Sequence, residues 1–169
     1  MRLYLMRHGE AVPPGPRVQD EDRPLTPEGR RRVRELARAW SRRDDPIPEV
    51  WVVSPLVRAV QTCEICLAEM GPDTPVEISR RLLPTGRVSF LLDLIEERGE
   101  GAVALVGHQP LLGGLGVFLL GWPSVPAELE PGAVLALDME RPGEGTLVWH
   151  AIPARDDRGP LFLEPPSPR

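Results

Sequence analysis

Short runs of apolar residues alternate along the chain with longer segments in which apolar residues recur every three or four positions. The short runs predict buried strands, and they lie at residues 3–6, 50–53, 76–78 and 103–106. The longer segments predict amphipathic helices, and they cover about residues 27–43, 54–70, 88–98 and 111–120. Strands that alternate with helices in this way favour an α/β fold, with a mostly parallel sheet flanked by helices.

The C-terminal part of the chain has a different pattern. Residues 134–139 and 146–152 are mainly apolar and flank a short stretch rich in Gly and charge, so we predict a closing pair of strands. From residue 153 onward Pro and charged residues are frequent, which indicates an extended or poorly ordered tail. We therefore expect one domain at residues 1–152 and a Pro-rich tail at residues 153–169.

The charge of the chain narrows the range of partners. A formal net charge of -5 argues against nucleic-acid binding, which needs a basic face. All 20 basic residues are Arg, and the absence of Lys excludes Schiff-base chemistry and any P-loop that depends on its Lys. Phosphate binding remains compatible with this composition, because the planar guanidinium group suits phosphate oxygens.

Cys63 and Cys66 form a Cys-x-x-Cys pair and are the only cysteines in the chain. Such a pair can belong to a redox or metal site, but a metal site needs further ligands and the chain has only three His. The pair also lies within an apolar helical pattern. We therefore expect two small core residues and no disulfide.

No apolar stretch of the sequence is long enough to span a bilayer. The apolar run at the N-terminus is followed at once by Arg7 and His8, and it is too short for a signal peptide. We therefore expect a cytoplasmic protein that does not associate with membranes.

Two His and two Arg residues follow predicted strands. Arg7 and His8 come after the first strand, Arg58 lies shortly after the second, and His108 follows the strand at residues 103–106. Ligands of open α/β sheets bind outside the carboxyl ends of the strands. If these strands are parallel, the four side chains share one edge of the sheet.

That set of side chains suits phosphoryl transfer, in which positioned cations and donors stabilise the charge on the phosphoryl oxygens. Arg7 and Arg58 can clamp these oxygens, His8 as a neutral imidazole can attack phosphorus, and His108 can donate a hydrogen bond. Each residue alone is explained as well by a solvated His or a surface Arg, so only the joint occurrence favours a site. His150 has no partner motif, and we interpret it as structural.

Four stretches of the chain form a recognisable set, namely LMRHGEA (5–11), DRPLTPEG (22–29), VSPLVRAVQT (53–62) and LVGHQPL (105–111). With them, the chain resembles the histidine phosphatase superfamily, which has a phosphoglycerate mutase-like fold and an Arg-His-Gly signature after its first strand. More narrowly, it resembles the small bacterial phosphohistidine phosphatases of the SixA type, and the resemblance extends to about residue 152.

The resemblance implies a three-layer sandwich and a role for each matching residue. His8 is expected to be the nucleophile, and Arg7, Arg58 and His108 are expected to form the phosphate pocket. Gly9 and Arg23 are expected to contribute to substrate binding, although Arg23 is also explained as a loop residue paired with an acid such as Asp22 or Glu21. No metal or other cofactor is expected.

Many members of the superfamily carry an acid in mid-chain, and residues 79–88 contain none. Glu77 is the nearest and is expected on a strand edge, while Glu10 is a weaker candidate and is better explained as a solvent-facing loop residue. An alkoxide leaving group needs a proton from an acid that contributes about 10²–10⁴-fold. An imidazole leaving group needs it far less, so the missing acid favours phosphoramidate substrates.

The leading hypothesis is therefore a phosphatase that acts on phosphohistidine in a protein. One alternative is a phosphatase for small phosphomonoesters or nucleotides, which activity on alkyl phosphates distinguishes. Another is an inactive phosphate-binding module, which the presence of both His8 and His108 disfavours.

Overall fold

The computed structural model describes residues 1–16, 18–71, 73–99, 101–121, 128–141, 144–156 and 158–165. The strands are β1 (Arg2–Arg7), β2 (Val50–Val53), β3 (Val76–Ile78), β4 (Ala102–Gly107), β5 (Val134–Arg141), β6 (Glu144–Ile152) and β7 (Leu161–Leu163). The helices are α1 (Pro27–Trp40), α2 (Val57–Met70), α3 (Val88–Glu96) and α4 (Leu111–Leu120), with 3₁₀ turns at Asp20–Asp22 and Arg80–Leu82. Within this described part of the chain, no helix is both long and apolar enough to cross a bilayer.

The strands of the described residues form one seven-stranded sheet in the order β3-β2-β4-β1-β5-β6-β7. Pairing is parallel from β3 through β1 and antiparallel from β1 through β7. The predicted mostly parallel sheet is confirmed. The antiparallel pairs β5–β6 and β6–β7 follow from the short connections between these strands, since parallel neighbours need a long crossover.

Alternate residues of the central strands face opposite layers of helix, as the period of a strand requires. In β1, Tyr4 and Met6 belong to a core shared with α1 and α2, whereas Leu3 and Leu5 belong to a second core shared with α3 and α4. The sheet is therefore buried on both faces. This confirms the three-layer arrangement.

Cys63 and Cys66 lie on α2, and both are buried and free. The Cys66 Sγ lies 3.7 Å from the Met6 Sδ in the core between α2 and β1. Burial raises the pKa of the Cys63 thiol to about 12. The prediction of two core residues is confirmed.

β7 lies within the segment predicted to be an extended or poorly ordered tail. It pairs with β6, and the Phe162 ring packs edge-on against Trp149, with centroids 5.2 Å apart. The Arg43 guanidinium covers Phe162 at 4.8 Å. This part of the tail is thus an ordered edge strand, whose short apolar run was hidden by the many Pro and charged residues on either side. Residues 157 and 166–169 of the same segment lie outside the described residues.

Three helix boundaries differ from the predictions, with α1 and α3 ending earlier and α2 beginning later. α2 begins at Val57, because the Ser54 N–H donates to the Val106 carbonyl (2.9 Å) and residue 54 still belongs to the sheet edge. α3 ends at Glu96. Gly99, three residues later, adopts the left-handed backbone conformation that commonly follows the end of a helix. α1 ends at Trp40, and the Arg43 N–H donates to its carbonyl (2.9 Å) in a tight turn.

Candidate active site

Three strands end at the same level and present the predicted site residues at one edge of the sheet. Arg7 at the end of β1 is level with Gly107 at the end of β4, and Val53 at the end of β2 is level with Val106. The rings of His8 and His108, which follow β1 and β4, have centroids 5.0 Å apart. The sheet register therefore brings these two His side chains together, as the parallel pattern predicts.

His8 is buried and holds a defined tautomer. Its Nδ1 lies 2.7 Å from the Gly9 carbonyl oxygen, which can only accept, so Nδ1 carries the hydrogen. The Nε2 lone pair accepts from the Arg58 Nε–H at 3.3 Å. Burial, together with the charges of Arg58 and Arg7, lowers the pKa of His8 to about 4. Near neutral pH the ring is therefore uncharged, with its lone pair beside a guanidinium.

His108 is even more deeply buried, with 2% of its surface exposed. Its Nε2 lies 2.7 Å from the Ser54 Oγ. Its Nδ1 is buried and has no hydrogen-bond partner among the described residues. Burial, and then the neighbouring His8 and Arg58, lowers the pKa of His108 to about 3. A second neutral imidazole with an uncommitted nitrogen thus lies next to His8.

Arg7 is held by the segment that precedes β5. One of its Nη groups donates to the Leu129 carbonyl, and the Gly132 N–H donates to the carbonyls of Arg7 (3.2 Å) and His8 (2.9 Å). The Arg7 Nε is buried and has no partner among the described residues. Burial lowers the pKa of Arg7, but a guanidinium stays charged at any ordinary pH. Arg7 therefore keeps one buried donor uncommitted.

Arg58 lies in the first turn of α2, and only 4% of its side chain is exposed. It donates from Nη1 to the Asp20 carbonyl (2.6 Å) and from Nη2 to the Asp20 Oδ2 (3.2 Å). Burial lowers the pKa of Arg58, and the Asp20 carboxylate opposes this shift. The guanidinium is thus held between His8 on one side and Asp20 on the other.

Arg23 also reaches Asp20, with its Nη1 2.9 Å from the Asp20 Oδ1, and its Nε donates to the Val12 carbonyl (2.7 Å). Its partner is Asp20 rather than Asp22 or Glu21. The reason is the 3₁₀ turn at Asp20–Asp22, because side chains three positions apart lie on the same side of such a turn. Arg23 is therefore joined to Arg58 through one carboxylate.

Sequence reasoning assigned no role to three residues that connect the site, namely Asp20, Ser54 and Thr62. The Thr62 Oγ1 accepts from the Gly9 N–H (3.0 Å) and donates to the Arg58 carbonyl (2.7 Å), so it ties the first strand end to α2. Two of them occupy sequence positions that could have indicated a role in the site. Thr62 lies one helical turn after Arg58, and Ser54 directly follows a strand.

Neither candidate acid contacts the side chains gathered around His8 within the described residues. The Glu10 carboxylate is half-exposed and lies 3.7 Å from Arg32 of α1. Glu77 lies on the edge strand β3 and pairs with Arg98, as its predicted position on a strand edge suggests. Among the described residues, no group of three or more His, Cys, Asp or Glu side chains is placed to bind a metal ion. Arg7 and Arg58, which lie beside His8, favour an anion as ligand.

The loop after His8 packs closely against the start of α1. A β-carbon on Gly29 would lie 2.2 Å from the Glu10 carbonyl oxygen, and one on Gly9 would lie 2.6 Å from the Val33 Cγ2. The Thr26 N–H also donates to that Glu10 carbonyl (2.9 Å). Gly9 and Gly29 therefore allow the loop after His8 to pack against α1, and this packing positions His8.

Gly29→Ala is expected to destabilise the protein by roughly 1–3 kcal/mol, because a backbone carbonyl must move to admit the methyl group. Gly114→Ala in α4 is the matched control, since its β-carbon would have its nearest neighbour at 3.6 Å, an ordinary contact. That change should be neutral or stabilising by up to about 1 kcal/mol, through helix propensity. Thermal unfolding of both variants checks the prediction. Equal effects of the two substitutions would contradict the close packing at Gly29.

Comparison of the sequence with known proteins finds relatives among the histidine phosphatases. Residues 3–83 match the family model of the histidine phosphatase superfamily (branch 1). The chain is 31% identical over 160 residues to phosphohistidine phosphatase SixA of Escherichia coli K12, covering 90% of this chain and 94% of that protein.

Solved structures agree in fold. The tungstate complex of protein histidine phosphatase SixA superposes with a TM-score of 0.77 at 28% identity, covering 89% of this chain and 96% of that chain. The α-ribazole phosphatase of Shigella flexneri shares the fold, with a TM-score of 0.66 at 24% identity over 87% of this chain and 94% of that chain. The predicted resemblance is confirmed, and the chain belongs to the histidine phosphatase superfamily as a SixA-like member.

Proposed function

We propose that this phosphatase removes phosphate from phosphohistidine in a protein substrate, with His8 as the nucleophile. The observation that carries the proposal is the tautomer of His8, whose Nδ1 donates to Gly9 and whose Nε2 lone pair lies beside Arg58. The E. coli relative is itself a phosphohistidine phosphatase by name. No cofactor takes part in the proposed chemistry.

In the first step, the His8 Nε2 attacks phosphorus and forms a P–N bond while the P–N bond of the substrate breaks. The departing imidazole keeps the bonding electron pair and takes a proton from solvent. In the second step, water attacks the phosphorus of phosphorylated His8, the Nε2–P bond breaks, and inorganic phosphate leaves with neutral His8 restored. Two displacements of this kind replace one difficult hydrolysis.

Arg7, Arg58 and His108 are proposed to bind the phosphoryl oxygens. The Arg7 Nε and the His108 Nδ1 are the buried nitrogens near His8 that no described residue satisfies. Such uncommitted donors act most strongly where charge develops, and each is worth about 10²–10³-fold in comparable sites. Arg23 at the rim and Gly9, whose backbone holds His8, complete the proposed substrate-binding set.

Ser54 is proposed to determine which nitrogen of His108 carries the hydrogen. The Ser54 Oγ accepts from the Leu56 N–H (3.4 Å), which leaves its hydroxyl hydrogen free to donate to the His108 Nε2 at 2.7 Å. The hydrogen of His108 is then on Nδ1, where it can donate to a phosphoryl oxygen.

The proposed substrate class is supported by the absence of a carboxylate in the segment that lies beside His108. Leu82 packs against Gly107, which precedes His108, and residues 79–88 around it hold no acid. A general acid contributes about 10²–10⁴-fold to the departure of an alcohol. Imidazole can take its proton from solvent and leave as a neutral ring, so it needs no acid from the protein and a P–N bond is the better substrate.

A phosphohistidine peptide is therefore expected to be hydrolysed with kcat/KM at least about 10²-fold higher than a phosphoserine peptide of the same sequence. Phosphate release from the matched peptides measures this ratio, and the same assay on His8→Ala controls for contaminating phosphatases. The reverse ranking would instead favour small phosphomonoesters or nucleotides as substrates. Binding of phosphate without turnover of either peptide would identify an inactive binding module.

A further inference from the structure

We infer that Asp20 is a positioning residue that holds Arg58 and Arg23 as one unit above the nucleophile, an inference that rests on the proposed role of His8. Asp20 belongs to the 3₁₀ turn at Asp20–Asp22, on the loop between β1 and α1. Among the described residues it contacts the site only through arginines, so its proposed role is to orient them.

The contacts of Asp20 are divided between the two arginines. Its Oδ2 and its backbone carbonyl both accept from Arg58, at 3.2 Å and 2.6 Å, while its Oδ1 accepts from Arg23 at 2.9 Å. One residue therefore fixes the relative positions of two guanidinium groups. Bridging of this kind gives geometric order as well as energy.

The orientation of Arg58 depends on these contacts. A guanidinium has five N–H donors in a rigid fork. Asp20 engages both Nη groups, which turns the Nε toward His8, where it lies 3.3 Å from Nε2. The remaining Nη hydrogens are then available to a phosphoryl group on that nitrogen. Without the Asp20 carboxylate, Arg58 would keep only the contact of its Nη1 with the backbone carbonyl of residue 20, and its Nη2 would lose the acceptor that fixes the plane of the guanidinium.

Because Asp20 is negatively charged, its proposed role in positioning arginines can be distinguished by experiment from a role in binding phosphate. Arg7, Arg23 and Arg58 are positive, and the Asp20 carboxylate touches two of them. Without the negative charge of Asp20, the site is more positive and attracts phosphate at least as well. The two arginines, however, are no longer held in the positions that the reaction needs. Turnover and phosphate affinity are therefore expected to change independently. A residue needed only for folding would lower both.

The neighbouring Asp22 provides a control within the same turn. It is exposed, and no hydrogen bond or ion pair of its carboxylate exists among the described residues. Asp20→Asn and Asp22→Asn remove the same charge from the same loop, two positions apart. Only the first alters contacts with Arg58 and Arg23.

The test measures kcat and the inhibition constant of inorganic phosphate for wild type and both variants, with p-nitrophenyl phosphate or a phosphohistidine peptide, whichever wild type hydrolyses faster. Asp20→Asn is expected to lose roughly 10- to 100-fold in kcat, the cost of a small misplacement, with an unchanged or lower inhibition constant. Asp22→Asn should match wild type, and all three proteins should remain folded at the assay temperature.

Two results would overturn the inference. One is a kcat of Asp20→Asn equal to that of Asp22→Asn. The other is a parallel loss of kcat, phosphate affinity and thermal stability in Asp20→Asn, which would assign Asp20 to folding. Because the assay uses whichever substrate is better, failure of the phosphohistidine preference would refute the proposed substrate and leave the comparison of the two Asp variants valid.

Discussion

Replacement of His8 by alanine is expected to lower phosphatase turnover by roughly 10⁴- to 10⁶-fold, as removal of a catalytic nucleophile does in other covalent mechanisms. The reason lies in the tautomer of His8. Its Nδ1 is committed to the Gly9 carbonyl at 2.7 Å, and its Nε2 is the lone pair that faces Arg58. Among the described residues, only the neighbouring His108 offers another neutral nitrogen at this place, and its Nε2 is bound to Ser54.

Steady-state hydrolysis of a phosphohistidine peptide measures this loss. The matched control is His150→Gln, because His150 is the third histidine and is buried on β6, opposite Leu135 of β5. The control should keep turnover close to wild type. Fluorescence of the buried Trp40, Trp51 and Trp149 reports whether each variant is folded. Turnover of His8→Ala within about tenfold of wild type would be incompatible with covalent catalysis at this residue.

Arg58→Ala is expected to lower kcat/KM by about 10²–10³-fold, the usual cost of one preorganised donor to developing charge. Its buried side chain connects His8 with Asp20, so the substitution removes a cation and also frees both neighbours. Arg58→Lys should recover only a small part of the loss. An ammonium group is a point charge, and it cannot reproduce the fork that reaches the His8 ring and two oxygens of Asp20 at once.

The measurement is kcat/KM of the two variants, compared with Arg34→Ala. Arg34 lies on α1 and is half-exposed beside Glu69, so its removal changes the net charge equally without touching the site. This control should be indistinguishable from wild type. Full activity of Arg58→Lys would show that charge alone matters at this position and would contradict the proposed geometry.

The main features of the fold and the pair of His residues could be predicted from the sequence. Apolar runs gave the strands β1, β2 and β4, and each of the motifs that contain His8, Arg58 and His108 lies within a few residues of a strand end. Parallel strand ends meet at one edge, so local signals were sufficient to bring these three side chains together.

The residues that order the site could not be found in that way. Asp20 lies in a loop without periodicity, and its relation to Arg23 depends on a 3₁₀ turn that the sequence does not indicate. Ser54 looks like a helix start, yet it remains on the sheet edge, where it meets a histidine 54 positions later in the chain. β7 is a short apolar run in a Pro-rich segment, and its place in the sheet depends on contacts with β6 and Trp149 that the local sequence does not indicate.

The central claim is that phosphate passes through the Nε2 of His8. Rapid mixing with a radiolabelled phosphoramidate, followed by denaturation in alkali, tests it most directly. The proposed mechanism predicts label on the wild-type protein that is stable in alkali and labile in acid, retained in His150→Gln and absent from His8→Ala. Label that is lost in alkali, or label that persists in His8→Ala, would contradict it.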